Sequence, residues 1–541
     1  MNAPGYKRVP IQAPSGIGAP VILGRSQSLG APLQPPPQTR EALAHEADLL
    51  SQAFTRAAGA PLVCGHDVQL LENGTANYPA WLEAIHHARN KIYFENYFIQ
   101  DDEVGAQFAS AFAERARAGV RVRVIYDWLG AFNRSPRSFW RTLTRAGVEV
   151  RCFNTPRLGS PLGWLHRNHR KMLAVDGRVG FITGLCVGKA WLGDPSRKLD
   201  AWRDTGVRIK GPVLYDIERA FARSWAATGE PLPDGELCTR EQLVEEGNVA
   251  LRVVATAPGE SAVFRVDQLI AAAAHRTLWL TDAYFAGVPP YVEALRAAAF
   301  DGVDVRLLVP GASDIAVLRP LSQAGYRPLL EAGIRVFEWN GSMLHAKTAV
   351  ADGMWARVGS SNLNIASWIG NYELDAVIED AAFAREMEDM YERDLVNATE
   401  IVLHPRERRL RISRLKPSFE KERRARPLMR ARTSGSASRA TAGALRLGRT
   451  VGAALSQTRI LATNEASFVA AVGVVFILIA VASILWPHLV VIPFVTIMLW
   501  LAAALLLRAR ALRRERRSRG LPATQIAPRS AATPRLENAE H

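Results

Sequence analysis

Leu344–Glu373 reads L-H-A-K-T-A-V-A-D-G-M-W-A-R-V-G-S-S-N-L-N-I-A-S-W-I-G-N-Y-E. Within it His345, Lys347 and Asp352 fall in the order H-x-K-x4-D, followed by Gly359, Ser360 and Asn362, then Ser367, Asn371 and Glu373. A histidine and a lysine two apart on a strand share a face. The apolar run T-A-V-A then carries the strand into a core. Gly-Ser-Ser-Asn reads as a turn that brings backbone N–H and hydroxyl groups to an anion. An imidazole, a fixed cation and small donors on one surface suit a phosphate. A lone H-x-K occurs by chance in many strands, but this chain contains the block twice.

The earlier copy is H-R-K-M-L-A-V-D-G-R-V-G-F-I-T-G, with His169, Lys171 and Asp176 at the same spacing. Upstream, K-I-Y-F-E-N-Y-F (Lys91–Phe98) parallels T-L-W-L-T-D-A-Y-F (Thr277–Phe285). A-G-V-R-V-R-V-I-Y-D (Ala118–Asp127) parallels D-G-V-D-V-R-L-L-V-P (Asp301–Pro310), and A-G-V-E-V-R-C-F-N (Ala146–Asn154) parallels A-G-I-R-V-F-E-W-N (Ala332–Asn340). Four strand-like segments thus recur in one order, roughly 180 residues apart, with helix-compatible stretches between them. Two copies of one α/β unit are implied.

The doubled H-x-K-x4-D block with G-S-x-N resembles the phospholipase D superfamily. The flanks W-R-D-T-G-V-R-I-K-G-P (Trp202–Pro212) and I-Y-F-E-N-Y-F-I-Q-D-D (Ile92–Asp102) resemble bacterial cardiolipin synthases more narrowly, and the likeness covers residues 60–400. It implies two pseudo-symmetric lobes, each a mixed β-sheet flanked by helices. They would pack face to face, with both histidine blocks at one active site.

Of the 541 residues, 48% are apolar, as in an ordinary globular protein, and the formal charge is +15. The charge is uneven. Residues 401–541 hold 25 Lys and Arg against 7 Asp and Glu, whereas residues 1–400 hold 42 against 45. A nearly neutral body argues against a basic nucleic-acid groove, and a basic tail fits an anionic membrane surface. Cys64, Cys152, Cys186 and Cys238 lack CxxC spacing and read as buried free thiols.

Residues 1–40, rich in Pro, Gly, Ala and Gln, read as a disordered lead without a signal-peptide core. Residues 41–225 form the first lobe, with Glu41–Ala57 a helix expected to pack on it. Residues 226–248 connect the lobes and 249–404 form the second, where Ser313–Tyr326 suggests a helix that walls the pocket or meets lipid. Residues 405–465 are a basic juxtamembrane segment. Ala466–Leu507 is 42 residues without a Lys, Arg, Asp or Glu, and Trp486-Pro487-His488 divides it into two spans of bilayer length, a transmembrane hairpin. Residues 508–541 are a basic disordered tail. Arginines flank the hairpin on both sides, which puts its ends and the catalytic body in the cytoplasm of a bacterial inner membrane.

Several further residues bear on the site. Asp204 and Glu373 each follow their histidine by roughly 30 residues. They read either as carboxylates that orient the imidazoles or as structural ion pairs. Glu95 and Asn96, with Asp282 as the repeat partner, end strands that approach the site, either for substrate contact or for strand-end bonding. His166 reads as a loop residue. The family pattern has Gly seven residues after the Asp and Asn three beyond, but the first block has Thr183 and Cys186 there, with Gly184 and Gly188 nearby.

The resemblance implies phosphoryl chemistry without metal or cofactor. One histidine attacks phosphorus to give a phosphohistidine, and the other protonates the leaving alcohol and then deprotonates the incoming one. By resemblance His169 is the nucleophile and His345 the acid/base. Lys171, Lys347, Ser360 and Asn362 would hold the phosphoryl oxygens, with Asp176 and Asp352 completing the catalytic motifs by bracing loops. Phosphatidylglycerol as acceptor would make cardiolipin, with a second phosphatidylglycerol, phosphatidylethanolamine or cardiolipin as donor. Phospholipase D hydrolysis, nuclease action and an inactive membrane scaffold are the alternatives.

Overall fold

A computed structural model describes residues 6–10, 40–155, 166–197, 199–314 and 318–403, with isolated positions between 492 and 503. The chain divides into two units. The larger comprises 1–155 and 165–469, and the smaller 156–164 and 470–541.

In the larger unit, β1 (Tyr6–Pro10) and α1 (Arg40–Ala58) precede the first lobe. That lobe runs β2 (Val63–Glu72), α2 (Asn73–His86), β3 (Lys91–Asn96), α3 (Glu103–Arg117), β4 (Arg121–Asp127), α4 (Trp128–Ala131), α5 (Arg137–Arg145), β5 (Glu149–Phe153), β6 (Met172–Val175), β7 (Val179–Thr183), β8 (Thr205–Lys210) and α6 (Leu214–Ala226). The second runs β9 (Val249–Thr256), α7 (Ala262–Ala273), β10 (Thr277–Thr281), α8 (Pro289–Phe300), β11 (Asp304–Pro310), α9 (Leu318–Glu331), β12 (Arg335–Trp339), β13 (Thr348–Ala351), β14 (Trp355–Gly359), β15 (Glu373–Glu379), α10 (Ala381–Val396) and β16 (Ala398–Leu403).

The strands join in one sheet, ordered β1-β16-β12-β11-β10-β13-β14-β15-β9-β2-β8-β7-β6-β3-β4-β5. Reading outward from the β2–β9 seam, the seven strands of the first lobe recur in the same order in the second, which adds β16 and then β1 at its edge. The repeat is therefore seven strands long, whereas four segments of it are legible in the sequence. β3, β4 and β5 are parallel, as are β10, β11 and β12, and β6 and β13 run antiparallel to β3 and β10. β3 is buried at every residue, which suits a central strand covered on both faces.

Three cores hold the layers together. One lies between β-strands and helices of the first lobe, around Trp81, Phe94, Phe108 and Phe112. A second covers the outer face of the second lobe. The third is shared: Ile217 and Phe221 of α6 and Met387 and Met390 of α10 pack with strand residues of both lobes. Helix starts are fixed locally, as Asp102 accepts hydrogen bonds from the N–H groups of Val104 and Gly105 at α3.

Three expectations change. The lead contains a strand, since β1 pairs antiparallel with β16. The predicted N-terminal helix is present as α1 but packs on the second lobe, where Phe54 meets Trp355 at a centroid distance of 6.4 Å and Arg252 donates to Thr55. Its apolar face complements α7 of that lobe, and Phe54 and Ala58 join its core. All four cysteines are free, but only Cys186 and Cys238 are buried: Cys152 is half-buried and Cys64 exposed.

The basic segment 405–465 and the tail 508–541 lie outside the described residues, as does most of the predicted hairpin. Within the hairpin, Ile492, Val495, Met498 and Leu499 are helical and exposed. Among the described residues no helix is long and apolar enough to cross a membrane.

Candidate active site

The two histidine blocks meet where the lobes face each other. His169 N–H donates to the Tyr372 carbonyl at 2.9 Å, and Tyr372 N–H donates to Arg167. The pseudo-symmetric pair repeats this: His345 N–H donates to the Arg203 carbonyl at 2.7 Å, and Arg203 N–H donates to Met343. Each bridge sets a histidine of one lobe beside the residue preceding a carboxylate of the other.

The carboxylates therefore cross. His169 Nδ1 lies 3.0 Å from Glu373 Oε2, and His345 Nδ1 lies 2.7 Å from Asp204 Oδ2. Each acid orients the histidine of the opposite lobe, not the one that precedes it in sequence. An Nδ1 facing a carboxylate carries the proton, so Nε2 is left with its lone pair. The acids are themselves held. Glu373 accepts from Ser360 Oγ at 2.6 Å and from Asn371 Nδ2 at 3.2 Å. Asp204 accepts from Trp191 Nε1 and from Thr205 N–H, each at 2.9 Å.

The lysines curl back over their blocks. Lys171 Nζ donates to the His169 carbonyl at 2.6 Å, and Lys347 Nζ donates to the His345 carbonyl. Tyr97 and Tyr284 repeat across the pseudo-dyad. Lys171 sits 5.3 Å over the Tyr97 ring and Lys347 5.7 Å over that of Tyr284. Each ring also meets a histidine edge-on, at 5.3 Å for His169 and 5.8 Å for His345. These tyrosines were not singled out in the sequence, although the repeated Y-F of Tyr97-Phe98 and Tyr284-Phe285 carried the signal.

Burial governs the electrostatics. It lowers His169 below the usual imidazole range, with Lys171 pushing the same way and Glu373 opposing. It lowers His345 to about 3, aided by Lys347 and opposed by Asp204. Lys347 falls to about 8, again through burial, with Asp204 opposing and Lys171 assisting. Burial would raise Asp204, but His345, Lys347 and the Trp191 N–H hold it at about 2. Glu373 is held below the usual carboxylate range in the same way, by His169, Lys171 and Ser360. The site thus presents two neutral imidazoles, each backed by an ionised carboxylate, and two lysine cations, groups suited to a phosphodiester.

The other predicted residues are placed as follows. Asp176 and Asp352 are not brought to the site. They sit at the far ends of β6 and β13, where each carboxylate accepts three backbone N–H bonds, from Arg89, Asn90 and Lys91 and from His275, Arg276 and Thr277. Both adopt positive φ, 55° and 54°, in the hairpin turn. Their place is structural because a five-residue step along an extended strand carries them a full strand length from the lysines.

The turn Gly359–Asn362 also differs from the expected anion cradle. Ser360 and Ser361 spend their hydroxyls on Glu373 and Asp375, and the backbone N–H groups of Ser360, Asn362 and Leu363 donate to Leu374, Ser367 and Asp282. Buried carboxylates need those donors. Asn362 Oδ1 is buried without a hydrogen-bond partner. In the first lobe Gly184 takes the place of Ser360, and a Cβ there would overlap Asp204. The Trp191 indole supplies the donor that serine supplies in the second lobe. Cys186, at the position of Asn362, is buried, and burial raises its thiol above the usual range. Glu95 accepts from Asn168 Nδ2 at 2.6 Å, bracing the residue before His169, and His166 Nδ1 lies 2.9 Å from the Gly370 carbonyl.

Residues 81–225 and 266–395 match the family described as cardiolipin synthase, PLD-like domain. The chain belongs to this family. Cardiolipin synthase A of Pseudomonas fluorescens (strain SBW25) is 34% identical over 360 residues, 65% of this chain and 73% of the relative. Cardiolipin synthase 1 of Bacillus cereus is 30% identical over 384 residues, 68% and 74%. The solved phosphatidylserine synthase of Haemophilus influenzae Rd KW20 has the same fold, with a TM-score of 0.52 at 16% identity over 68% of this chain and 98% of that one. The chain is accordingly a phosphatidyltransferase of the phospholipase D superfamily.

Proposed function

We propose that this enzyme moves a phosphatidyl group to phosphatidylglycerol, making cardiolipin through a phosphohistidine. The crossed pairing of His169 with Glu373 and His345 with Asp204 supports this reading, because it gives two oriented imidazoles with Nε2 free in one site. His169 Nε2 attacks the phosphorus of the donor lipid, and the P–O bond to its headgroup breaks. The bound phosphodiester sets an anion beside His345, which takes up a proton at Nε2 and gives it to the departing alkoxide. His345 Nε2, now neutral, takes the proton of the incoming glycerol hydroxyl as that oxygen attacks the phosphohistidine, and the P–N bond breaks. Lys171 and Lys347 face the non-bridging oxygens, whose charge they stabilise. The two crossed carboxylates hold the imidazoles in the tautomer that both steps need.

The long uncharged stretch Ala466–Leu507, with its arginine flanks, supports attachment to the inner membrane with the catalytic lobes on the cytoplasmic side. The exposed apolar helix positions Ile492, Val495, Met498 and Leu499 fit that reading.

The test is a product assay in mixed micelles with labelled phosphatidylglycerol, with and without phosphatidylethanolamine. Cardiolipin from the wild type, absent with His169→Ala and with His345→Ala, is the expected result. Its dependence on phosphatidylethanolamine names the donor. Phosphatidic acid as sole product would make water the acceptor and the enzyme a phospholipase D.

A further inference from the structure

The pseudo-twofold symmetry of the site breaks at its rim. On the side of Tyr284 the loop after β11 presents an acid, since the Tyr284 hydroxyl donates to Asp314 Oδ1 at 2.9 Å. On the side of Tyr97 the loop after β4 presents a cation. Arg134 is exposed, and its guanidinium lies 4.2 Å over the ring of Phe98, the buried neighbour of Tyr97.

The loop is held in place. The Arg134 carbonyl accepts from Asp101 N–H at 2.9 Å, Arg134 N–H donates to Ala131 at 3.0 Å, and the Ser135 hydroxyl donates to Ile99. A solvated surface arginine is the ordinary alternative, but two observations set this one apart. Among the described residues no carboxylate pairs with it. Its charge also reaches inward, drawing down the hydroxyls of Tyr97 and Tyr284 and the thiol of Cys186 against their burial. Those three groups surround the two lysines. Helix α4 and the turn after it expose Leu129 and Phe132, apolar surface close to the cation in sequence.

The transfer reading above, on which this inference rests, supplies the chemistry. Phosphatidylglycerol as acceptor carries a phosphodiester of its own, one glycerol away from the hydroxyl that attacks. Lys171 and Lys347 are committed to the phosphorus being transferred. A second anion at the rim needs another cation, and Asp314 repels it from the opposite side. We propose that Arg134 binds the phosphate that the lipid acceptor brings, and so selects an anionic acceptor over water or a neutral alcohol. Exposed Leu129 and Phe132 offer the acyl chains of that acceptor apolar surface near the cation.

The experiment compares three acceptors with the full-length enzyme in micelles: phosphatidylglycerol, the soluble diester glycerophosphoglycerol, and free glycerol, which lacks phosphate. Arg134→Gln is expected to lower the preference for each anionic acceptor over glycerol about tenfold, through KM, and Arg134→Lys to restore part of it. An unchanged preference would overturn the proposal. So would a loss confined to phosphatidylglycerol, because Arg134 would then act on acyl chains or the micelle surface and not on a phosphate. An equal fall with all three acceptors would make Arg134 structural. Failure of the wild type to form cardiolipin at all would remove the transferase reading first and this proposal with it, and it shows without any variant.

Discussion

Glu373 and His169 belong to opposite lobes, and their side chains meet at 3.0 Å. Asp204 and His345 return the arrangement at 2.7 Å. Neither lobe alone holds an oriented imidazole, so the chemistry depends on the docked pair. The lobes are joined by the β2–β9 pairing, by the bridges at the two histidine blocks and by the core that α6 and α10 enter.

Replacing either carboxylate with its amide keeps the shape and loses the charge. The amide can present an N–H to Nδ1 and favour the wrong tautomer. Glu373→Gln and Asp204→Asn are each expected to lower kcat by ~10²-fold or more, with KM changed by less than about threefold. Steady-state kinetics on labelled lipid check this. A KM effect alone would mean that the acids serve binding and not orientation.

Asp176 and Asp352 are expected to behave differently although they belong to the same sequence motif. Each ties three backbone N–H groups at the start of β3 or β10. Asp176→Ala or Asp352→Ala leaves those groups short of partners and is expected to cost about 2–4 kcal/mol of stability. The kcat of the protein that remains folded should stay within about threefold. Thermal unfolding and activity normalised to folded protein separate the two effects. A large kcat loss at unchanged melting temperature would return these residues to the chemistry.

The contrast shows what the sequence could carry. The block H-x-K-x4-D announced a doubled site, and its repeat announced two lobes, because spacing along a strand survives translation into geometry. Which carboxylate serves which histidine did not survive. Asp204 and Glu373 sit at similar distances after their own histidines, and nothing in that spacing reveals the exchange across the seam. The seven-strand repeat was only partly visible: the four repeated segments cover five strands, because each histidine block spans two, whereas β2, β8, β9 and β15 lack the internal likeness of β3 and β10. α1 could be read as a helix from its periodicity, but its partner, Trp355, lies some 300 residues further on.

The departures in the first block have a physical account that can be tested. Gly184 leaves room for the Asp204 carboxylate, and Trp191 supplies the donor that Ser360 gives to Glu373. Gly184→Ala pushes Asp204 from His345 and is expected to cost at least about tenfold in kcat. Trp191→Phe removes one hydrogen bond to a buried charge, worth about 1.5–3 kcal/mol, and unpacks the ring beside His345 less. Ser360→Gly should give a loss similar to that of Trp191→Phe. Full activity in Gly184→Ala would show that the first lobe tolerates a side chain there.

The pH dependence follows from Lys347, which burial lowers to about 8. Below that value the ammonium is present and can meet a phosphodiester; above it the group is neutral and the site loses a cation. His345 has to take up a proton with the substrate, so the expected kcat/KM falls about tenfold per pH unit through neutral pH and steepens above pH about 8, towards a hundredfold per unit once Lys347 is mostly deprotonated. A bound phosphodiester adds an anion beside the ammonium and raises its pKa, so its limb in kcat should lie at higher pH than its limb in kcat/KM. His345, pushed down to about 3, gives the free enzyme no acid limb near the ordinary imidazole value. Lys347→Arg separates this account from one that assigns the steepening to another group. The guanidinium keeps its charge throughout, so the variant, though slower because the fork fits the space of an ammonium poorly, should lose the steepening. If Lys347→Arg retains a steepening at pH about 8, the group titrating there is not Lys347.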